Sequence, residues 1–425
     1  MLGGAWLLIA VLLLVGAVVL RQVPLLLVAL LFFLASGIAR IWARYALERV
    51  EYSRRLSAGR VFWGETVTLE IRVANRKLLP LPWVRVEDEM PQELTFLNKL
   101  SPSYKPARLV LTNVLSLGWY RQLTRRFSVR CLRRGFFTFG PATIRSGDLF
   151  GFFQNEVASD KLDHLLVYPR IVPLEDLGIP SRDPFGDLRL RRHLFEDPMR
   201  VMSTREYAYG DPLKRIHWKA TARVGRLQSR VHEATTTVDI ALFLDARTVR
   251  PPFWGIQEQL LETAIIAAAS VSDYGAREGH RIGLYVNETY RHTDRLIKLP
   301  PSDGPAQLQR VLEALAHIQG LPFYSLEDVL NREGRDISWG STLAVITAIP
   351  TEALLSSLIR FRRAGRHVAL LVVGAETPQA SLDGLPVYHI SDQVYWRELA
   401  SVRIEETASR LPPDTSVTGG RRRAR

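Results

Sequence analysis

Apolar and polar positions follow three successive rhythms along this chain. Residues 2–20 carry no charged side chain and residues 23–39 are apolar again, with only Arg21 and Gln22 between them. Runs of this length approach the ~20 residues that a helix needs to cross a hydrocarbon core. The break is short enough to force an antiparallel turn. Pro24 suits the first turn of the second helix, where its missing N–H has no partner to lose. A cleaved leader is the other reading of the first run, but that run lacks a basic leading segment and is followed at once by the second. From 56 to 172 the period falls to two: residues 67–73, 83–87 and 126–130 alternate apolar and polar side chains, as half-buried strands do. Gly64, Pro80, Pro82, Pro91, Gly135, Gly140 and Pro141 punctuate these runs. Many short strands with turn residues between them predict an antiparallel β-sandwich.

Residues 173–237 are rich in Pro, Asp and Arg and hold only short apolar runs, so they read as a connector packed along the next domain. Beyond 238 the rhythm becomes mixed. Apolar strands at 238–244, 281–286, 342–347, 367–373 and 386–390 alternate with helical patterns at 256–274, 305–318, 326–330 and 352–363. That order predicts an α/β doubly wound, mainly parallel sheet. The expected organisation is a two-helix transmembrane hairpin (1–45), a β-sandwich (56–172), the connector (173–237), the α/β domain (238–410) and a basic tail (411–425). The tail contains Pro412, Pro413, Gly419 and Gly420, ends Arg-Arg-Arg-Ala-Arg and is expected to be disordered.

Composition narrows the function classes. With 47% hydrophobic and 23% charged residues, the 425-residue chain is expected to fold into two or three units. The single Cys131 excludes a disulfide framework and any multi-cysteine metal site, and it fits a reducing compartment. The net charge of +13 is not evenly spread: residues 40–237 hold 34 basic and 21 acidic side chains, whereas 238–425 hold 21 and 22. Arg40, Arg44, Arg49, Arg54 and Arg55 follow the second apolar run, against one arginine in the turn. The positive-inside rule then keeps both termini and everything after residue 40 in the cytoplasm. Trp42 and Tyr45 sit where interfacial aromatic anchors belong. Arg121, Arg125, Arg126, Arg130, Arg133 and Arg134 form a cluster with no acid between them. It reads as a surface for anionic lipid headgroups, the alternative being a solvated sheet face. Nucleic acid is not expected, because no helix-turn-helix, zinc-finger or ribonucleoprotein motif is present.

The most distinctive segment runs from Arg205 through Glu206, Tyr207, Gly210, Asp211, Arg215, His217, Trp218 and Lys219 to Arg223. Gly210-Asp211 is a turn signal, and Asp211 can cap the residues after it. A helix over residues 214–223 would set Arg215, Lys219 and Arg223 on one face. Arg205, Arg215 and Arg223 can then bind a phosphate or an acidic loop. The favoured alternative is structural: Arg205, Glu206, Asp211 and Arg215 pair with each other and pin the connector. The segment resembles the signature of the bacterial domain-of-unknown-function family 58, and residues 133–141 and 147–151 resemble that family's β-region motifs.

The resemblance implies a membrane hairpin, a β-rich region and a von Willebrand factor A-like domain. It also implies a MoxR-type AAA+ ATPase as partner, with a transglutaminase-like membrane protein as a second. Such A domains hold a divalent cation through Asp-x-Ser-x-Ser and later threonine and aspartate side chains. Here Asp245 keeps the first position, but Arg247 and Val249 replace the serines and the later strand brings no aspartate. The site is therefore expected to be degenerate, with no metal and no cofactor. An enzyme reading finds little support. Cys131 lies between Arg130 and Arg133, which would lower its pKa, but His164, His193, His217 and His232 are partners only by existence. No Gly-x-Ser-x-Gly elbow or Walker loop occurs. The expectation is a non-enzymatic, membrane-anchored scaffold or adaptor at the bacterial inner membrane, in assembly or stress processes. The alternatives are a membrane-associated enzyme built on residues 205–223 with Asp211 and His217, and an exported adhesion module.

Overall fold

The computed structural model describes residues 3–97, 100–149, 151, 153–180, 196–208, 216–234, 238–250, 255–290, 293–375 and 384–391. They fall into two compact units, residues 1–170 and 171–425. The basic tail expected at 411–425 lies outside the described residues.

The first unit opens with two apolar helices, α1 (Gly3–Val19) and α2 (Val23–Ala46), which pack on one another. Pro24 stands in the first turn of α2. Ala17 on α1 and Ala29 and Ser36 on α2 are buried, whereas the leucines between them are largely exposed. Small side chains at a contact stripe let two backbones approach closely. Among the described residues α2 is the one helix long and apolar enough to cross a membrane. α1 is uncharged but shorter, 17 residues against 24.

The strands come next: β1 (Val50–Leu56), β2 (Arg60–Phe62), β3 (Thr66–Asn75), β4 (Leu81–Pro91), β5 (Thr95–Phe96), β6 (Ser101–Pro102), β7 (Arg108–Leu117), β8 (Gln122–Arg130), β9 (Gly135–Phe139), β10 (Ala142–Gly147), β11 (Gln154–Ser159) and β12 (Asp163–Tyr168). They form sheets of order β1-β3-β8-β5, β11-β10-β4-β7-β6 and β2-β12-β9. Pairing is antiparallel apart from β2 with β12. Strand pairing starts at Val50, six residues before the expected boundary. Alternate residues fill the core: Val67, Leu69, Ile71 and Val73 of β3, Val84, Val86 and Met90 of β4, Phe127 and Val129 of β8. The same alternation carries Asp88 of β4 and Arg54 of β1 inward, and both are buried. Arg54 pairs with Asp88, donates through Nε to Asp163 Oδ2 (2.9 Å) and through Nη2 to the carbonyls of Phe139 (2.9 Å) and Lys161 (2.7 Å). Tyr52 Oη donates to Asp88 Oδ2 at 2.5 Å. Gly140 has a φ of +93°, and a Cβ there would lie 2.6 Å from Arg54 Nη2, so only glycine leaves room for the guanidinium.

The second unit begins with a short 3-10 turn, Leu174–Leu177, packed on the helix α4 (Glu258–Arg277). Val172 N donates to Ser270 Oγ on that helix at 3.0 Å. The segment read as a connector is ordered as a ribbon where it is described. β13 (Glu196–Glu206) pairs antiparallel with β14 (Gln228–Ala234), and α3 (Trp218–Val224) lies between them. The remaining elements are β15 (Asp239–Leu244), β16 (Arg281–Thr289), β17 (Leu296–Ser302), α5 (Pro305–His317), α6 (Leu326–Glu333), β18 (Thr342–Thr347), α7 (Glu352–Arg363), β19 (His367–Val373) and β20 (Val387–Ile390). They build one six-stranded sheet of order β17-β16-β15-β18-β19-β20. All its pairings are parallel except that of β17 with β16. β15, β18 and β19 are buried almost throughout, as central strands covered on both faces must be. Ala241, Phe243, Leu343, Val345, Val368 and Leu370 join one core with residues of α6 and α7. Ile240 and Ile282, of opposite parity, meet α4 at Gly275, where a Cβ would lie 2.3 Å from Ile282 Cδ1.

Candidate functional site

The chain leaves β15 for β16 on one side and later crosses to β18 on the other. The carboxyl ends of β15 and β18 therefore flank a topological switch point, where open α/β sheets bind ligands. Asp245 follows β15 directly there and is buried. Its Oδ1 accepts from Asn287 Nδ2 (2.7 Å) and from Arg247 N (3.0 Å), and its Oδ2 accepts from Thr347 Oγ1 (2.9 Å). Arg247 Nη2 lies 3.7 Å from Asp245 Oδ2 and 3.6 Å from Glu327 Oε2 on α6. Asn287 is shared further: its Oδ1 accepts from Ala246 N (2.8 Å) and its Nδ2 also donates to Tyr324 O (3.2 Å). Next to it, buried Glu288 accepts from the amides of Gln319, Gly320 and Leu321 at 2.9, 2.9 and 3.2 Å, tethering the loop between α5 and α6.

Burial raises the pKa of the Asp245 carboxyl, with Arg247 and the three hydrogen bonds pulling the other way. The guanidinium of Arg247 stands between the carboxylates of Asp245 and Glu327. Among the described residues no group of three His, Cys, Asp or Glu side chains is arranged to hold a metal ion. Asp245 and Arg247, chosen by sequence, are thus in one network. Asn287, Thr347 and Glu327 complete it without having been singled out, and Glu288 beside Asn287 holds the neighbouring loop. The available signal was polar residues closing apolar strands: Asn287-Glu288 after residues 281–286, and Thr347 after residues 342–346.

The signature segment is laid out differently from its sequence reading. Gly210, Asp211 and Arg215 lie outside the described residues. α3 starts at Trp218, not Lys214, because Ile216 bridges to Ser229 and His217 N donates to Gln228 O at 2.7 Å. Residues 216 and 217 are held by β14, and the helix carries Lys219 and Arg223. His217 caps it, its Nδ1 accepting from Ala220 N at 3.1 Å. Glu206 pairs with Arg226 (3.4 Å), while Arg205 Nη1 donates to the Glu206 carbonyl (3.3 Å). Tyr207 N donates to Leu227 O at 2.9 Å, and Trp218, Lys219 and Arg223 are exposed.

The arginine cluster does not form one patch. Arg126 and Arg125 are successive residues of β8 and point to opposite faces. Arg126 Nε bonds Glu70 Oε2 (3.1 Å), and Arg125 Nη1 bonds Asn113 Oδ1 (3.0 Å). Arg121 precedes β8, whereas Arg130 ends it and Arg133 and Arg134 lie beyond it. A nine-residue strand separates these ends by about 27 Å. Cys131 is buried, and burial pushes its thiol up to about 11 rather than down toward a reactive thiolate.

Residues 203–334 match the family model described as "Protein of unknown function DUF58". That span holds the signature segment, Asp245 and Asn287. A curated relative, "Uncharacterized protein YeaD" of Bacillus subtilis (strain 168), is 23% identical over 216 residues, 49% of this chain and 50% of the relative. The chain thus spans about half the length of the curated relative it matches. Among solved structures, the CARDB domain of the PF1109 protein from Pyrococcus furiosus aligns over 28% of this chain and 91% of its own, at 11% identity and a TM-score of 0.20. A cohesin module from a Clostridium perfringens family 33 glycoside hydrolase aligns over 28% of this chain and 96% of its own, at 13% identity and a TM-score of 0.19.

Proposed function

We propose that this chain, with its DUF58 match over residues 203–334, is a non-enzymatic scaffold or adaptor anchored in the bacterial inner membrane. In this reading α1 and α2 form a two-helix transmembrane hairpin. The arginine-rich flank that begins at Arg40, after the apolar run of α2, keeps both termini and both folded units in the cytoplasm. The second unit is a von Willebrand A-like domain whose carboxyl edge docks a protein partner, a MoxR-type AAA+ ATPase, in assembly or stress functions. A transglutaminase-like membrane protein is the second partner in this scheme.

The observation that carries the reading is the state of Asp245. It is a buried carboxylate at a ligand-binding edge, yet Asn287, Thr347 and Arg247 satisfy it from within the unit. Such an edge offers shape and charge to a partner rather than a reacting group. The enzyme reading built on residues 205–223 is weaker, because the Nδ1 of His217 is committed to capping α3. Affinity purification of the tagged full chain from membranes, with ATP, ADP or a non-hydrolysable analogue, tests the adaptor reading. An AAA+ ATPase is expected in at least one nucleotide state, with recovery reduced by Arg247→Glu. Recovery of no such ATPase in any state overturns it.

A further inference from the structure

Three loops close the end of the β-rich unit from which α2 departs: residues 76–80 after β3, 118–121 between β7 and β8, and, between β10 and β11, a turn described at residues 148, 149, 151 and 153. The first is bound to the helix end, and the second is bound to the first. Lys77 Nζ donates to the carbonyls of Tyr45 (2.8 Å), Ala46 (2.5 Å) and Glu48 (2.5 Å). Tyr120 N donates to Lys77 O at 3.2 Å, and Asn75 Nδ2 ties Leu79 O to Gly118 O, each at 2.9 Å. The third loop lies higher on the helix. Phe153 packs on Ala39 and Ala43, and Asn155 Nδ2 donates to Ala43 O at 2.9 Å. This loop is closed on itself: buried Asp148 accepts from Phe153 N (2.7 Å), and its carbonyl accepts from Trp83 Nε1 (3.0 Å).

From these tethered loops Leu78, Trp119, Tyr120 and Leu149 project with 63–66% of their surface exposed. Tyr120 has a φ of 48°, so the fold holds it there against local preference. Exposed Arg40, Arg44, Arg49, Arg76 and Arg121 belong to the same end. Aromatic and aliphatic tips among arginines are the composition of a membrane–water interface, where rings sit at headgroup level and cations meet anionic lipid. The height agrees. Ala39 is the last residue of the apolar run of α2, and Arg40 is its first charge. The four residues from Ala39 to Ala43, on which Phe153 packs, rise about 6 Å along the helix, roughly the depth of one interfacial layer.

We propose that this three-loop end is a membrane-contacting foot, with Leu149, Trp119, Tyr120 and Leu78 seated among the anionic headgroups of the bilayer that α2 crosses. It replaces the β8 arginines as the lipid surface, because Arg130, Arg133 and Arg134 lie toward the opposite end of that strand. The inference rests on the reading of α2 as a membrane span, and the test separates the two. The full chain, with Cys131→Ala, carries one cysteine labelled with an environment-sensitive fluorophore. The cysteine replaces Leu149, Trp119, Leu31 in α2, or Leu162 at the far end of β10 and β11. Each variant is reconstituted in phosphatidylcholine vesicles with a minority of phosphatidylglycerol, with and without spin-labelled lipid. Labels at 149, 119 and 31 are expected to shift to the blue and lose emission to the spin label, and the label at 162 to do neither. Quenching at 31 with positions 149 and 119 behaving like 162 overturns the foot and leaves the anchor standing. No quenching at 31 overturns both.

Discussion

Arg54 occupies a position where the alternation of β1 calls for an apolar side chain. By sequence it belongs with the basic flank after the second apolar run. In the fold it is buried, with its donors spent on Asp88, Asp163 and the carbonyls of Phe139 and Lys161. Removing Asp88 leaves the buried guanidinium to Asp163 and deprives Tyr52 Oη of its acceptor, and breaking a buried pair on one side costs more than the pair contributes. Asp88→Ala is therefore expected to destabilise the first unit by about 3–5 kcal/mol in denaturant titration. A change within surface-mutation range would show that water reaches the guanidinium. Cys131 teaches the converse lesson. Its arginine neighbours in sequence predict a lowered pKa, but inward alternation buries it and raises the thiol instead.

At the scale of elements, the ends of strands decide the candidate site. β15, β16 and β18 run parallel in register, so Asp245, Asn287 and Thr347 arrive together although they are far apart in the chain. Asn287→Leu deprives Asp245 Oδ1 of a donor and Ala246 N of its acceptor, each buried. An unsatisfied buried polar group costs about 1–3 kcal/mol, so a loss of that order in the thermal or chemical stability of the second unit is expected. An unchanged midpoint would mean that the bracket is dispensable. Pairing also overrides local preference at α3, where strand contacts of Ile216 and His217 delay the helix to Trp218. β17 shows why some elements escape a sequence reading. It contains Pro300 and Pro301, which argue against a central strand but are tolerated on the sheet edge it occupies.

For the whole molecule, the positive charge and the apolar helices belong to the same reading. The basic excess falls in residues 40–237 and begins on the last two turns of α2, at Arg40 and Arg44. If α2 and its neighbour α1 hold the chain in the bilayer, alkaline carbonate washing of isolated membranes leaves the full chain in the pellet. Release into the supernatant would reduce the attachment to a peripheral one and remove the basis of the anchor. The short path from α2 to β1, clamped by Lys77, also means that the β-rich unit is joined to the helix without a flexible tether.

Periodicity along the chain determined the order of elements: apolar helices, alternating strands, then α/β alternation with buried parallel strands. Those features depend on residues close in sequence, because the 3.6 and 2.0 periods are local properties of the backbone. Asp245 and Arg247 stood out for another reason, the Asp-x-Ser-x-Ser motif that the family resemblance implies at that strand end. What Asp245 touches was not. Asn287, Thr347 and Glu327 meet it through sheet order and helix packing, which no spacing encodes. Arg54 and Asp88 likewise look like surface charges until two sheets close over them. Leu78, Trp119, Tyr120 and Leu149 look like scattered apolar residues until three turns gather at one helix end. Tertiary structure decided these cases because burial and pairing are set by which elements become neighbours.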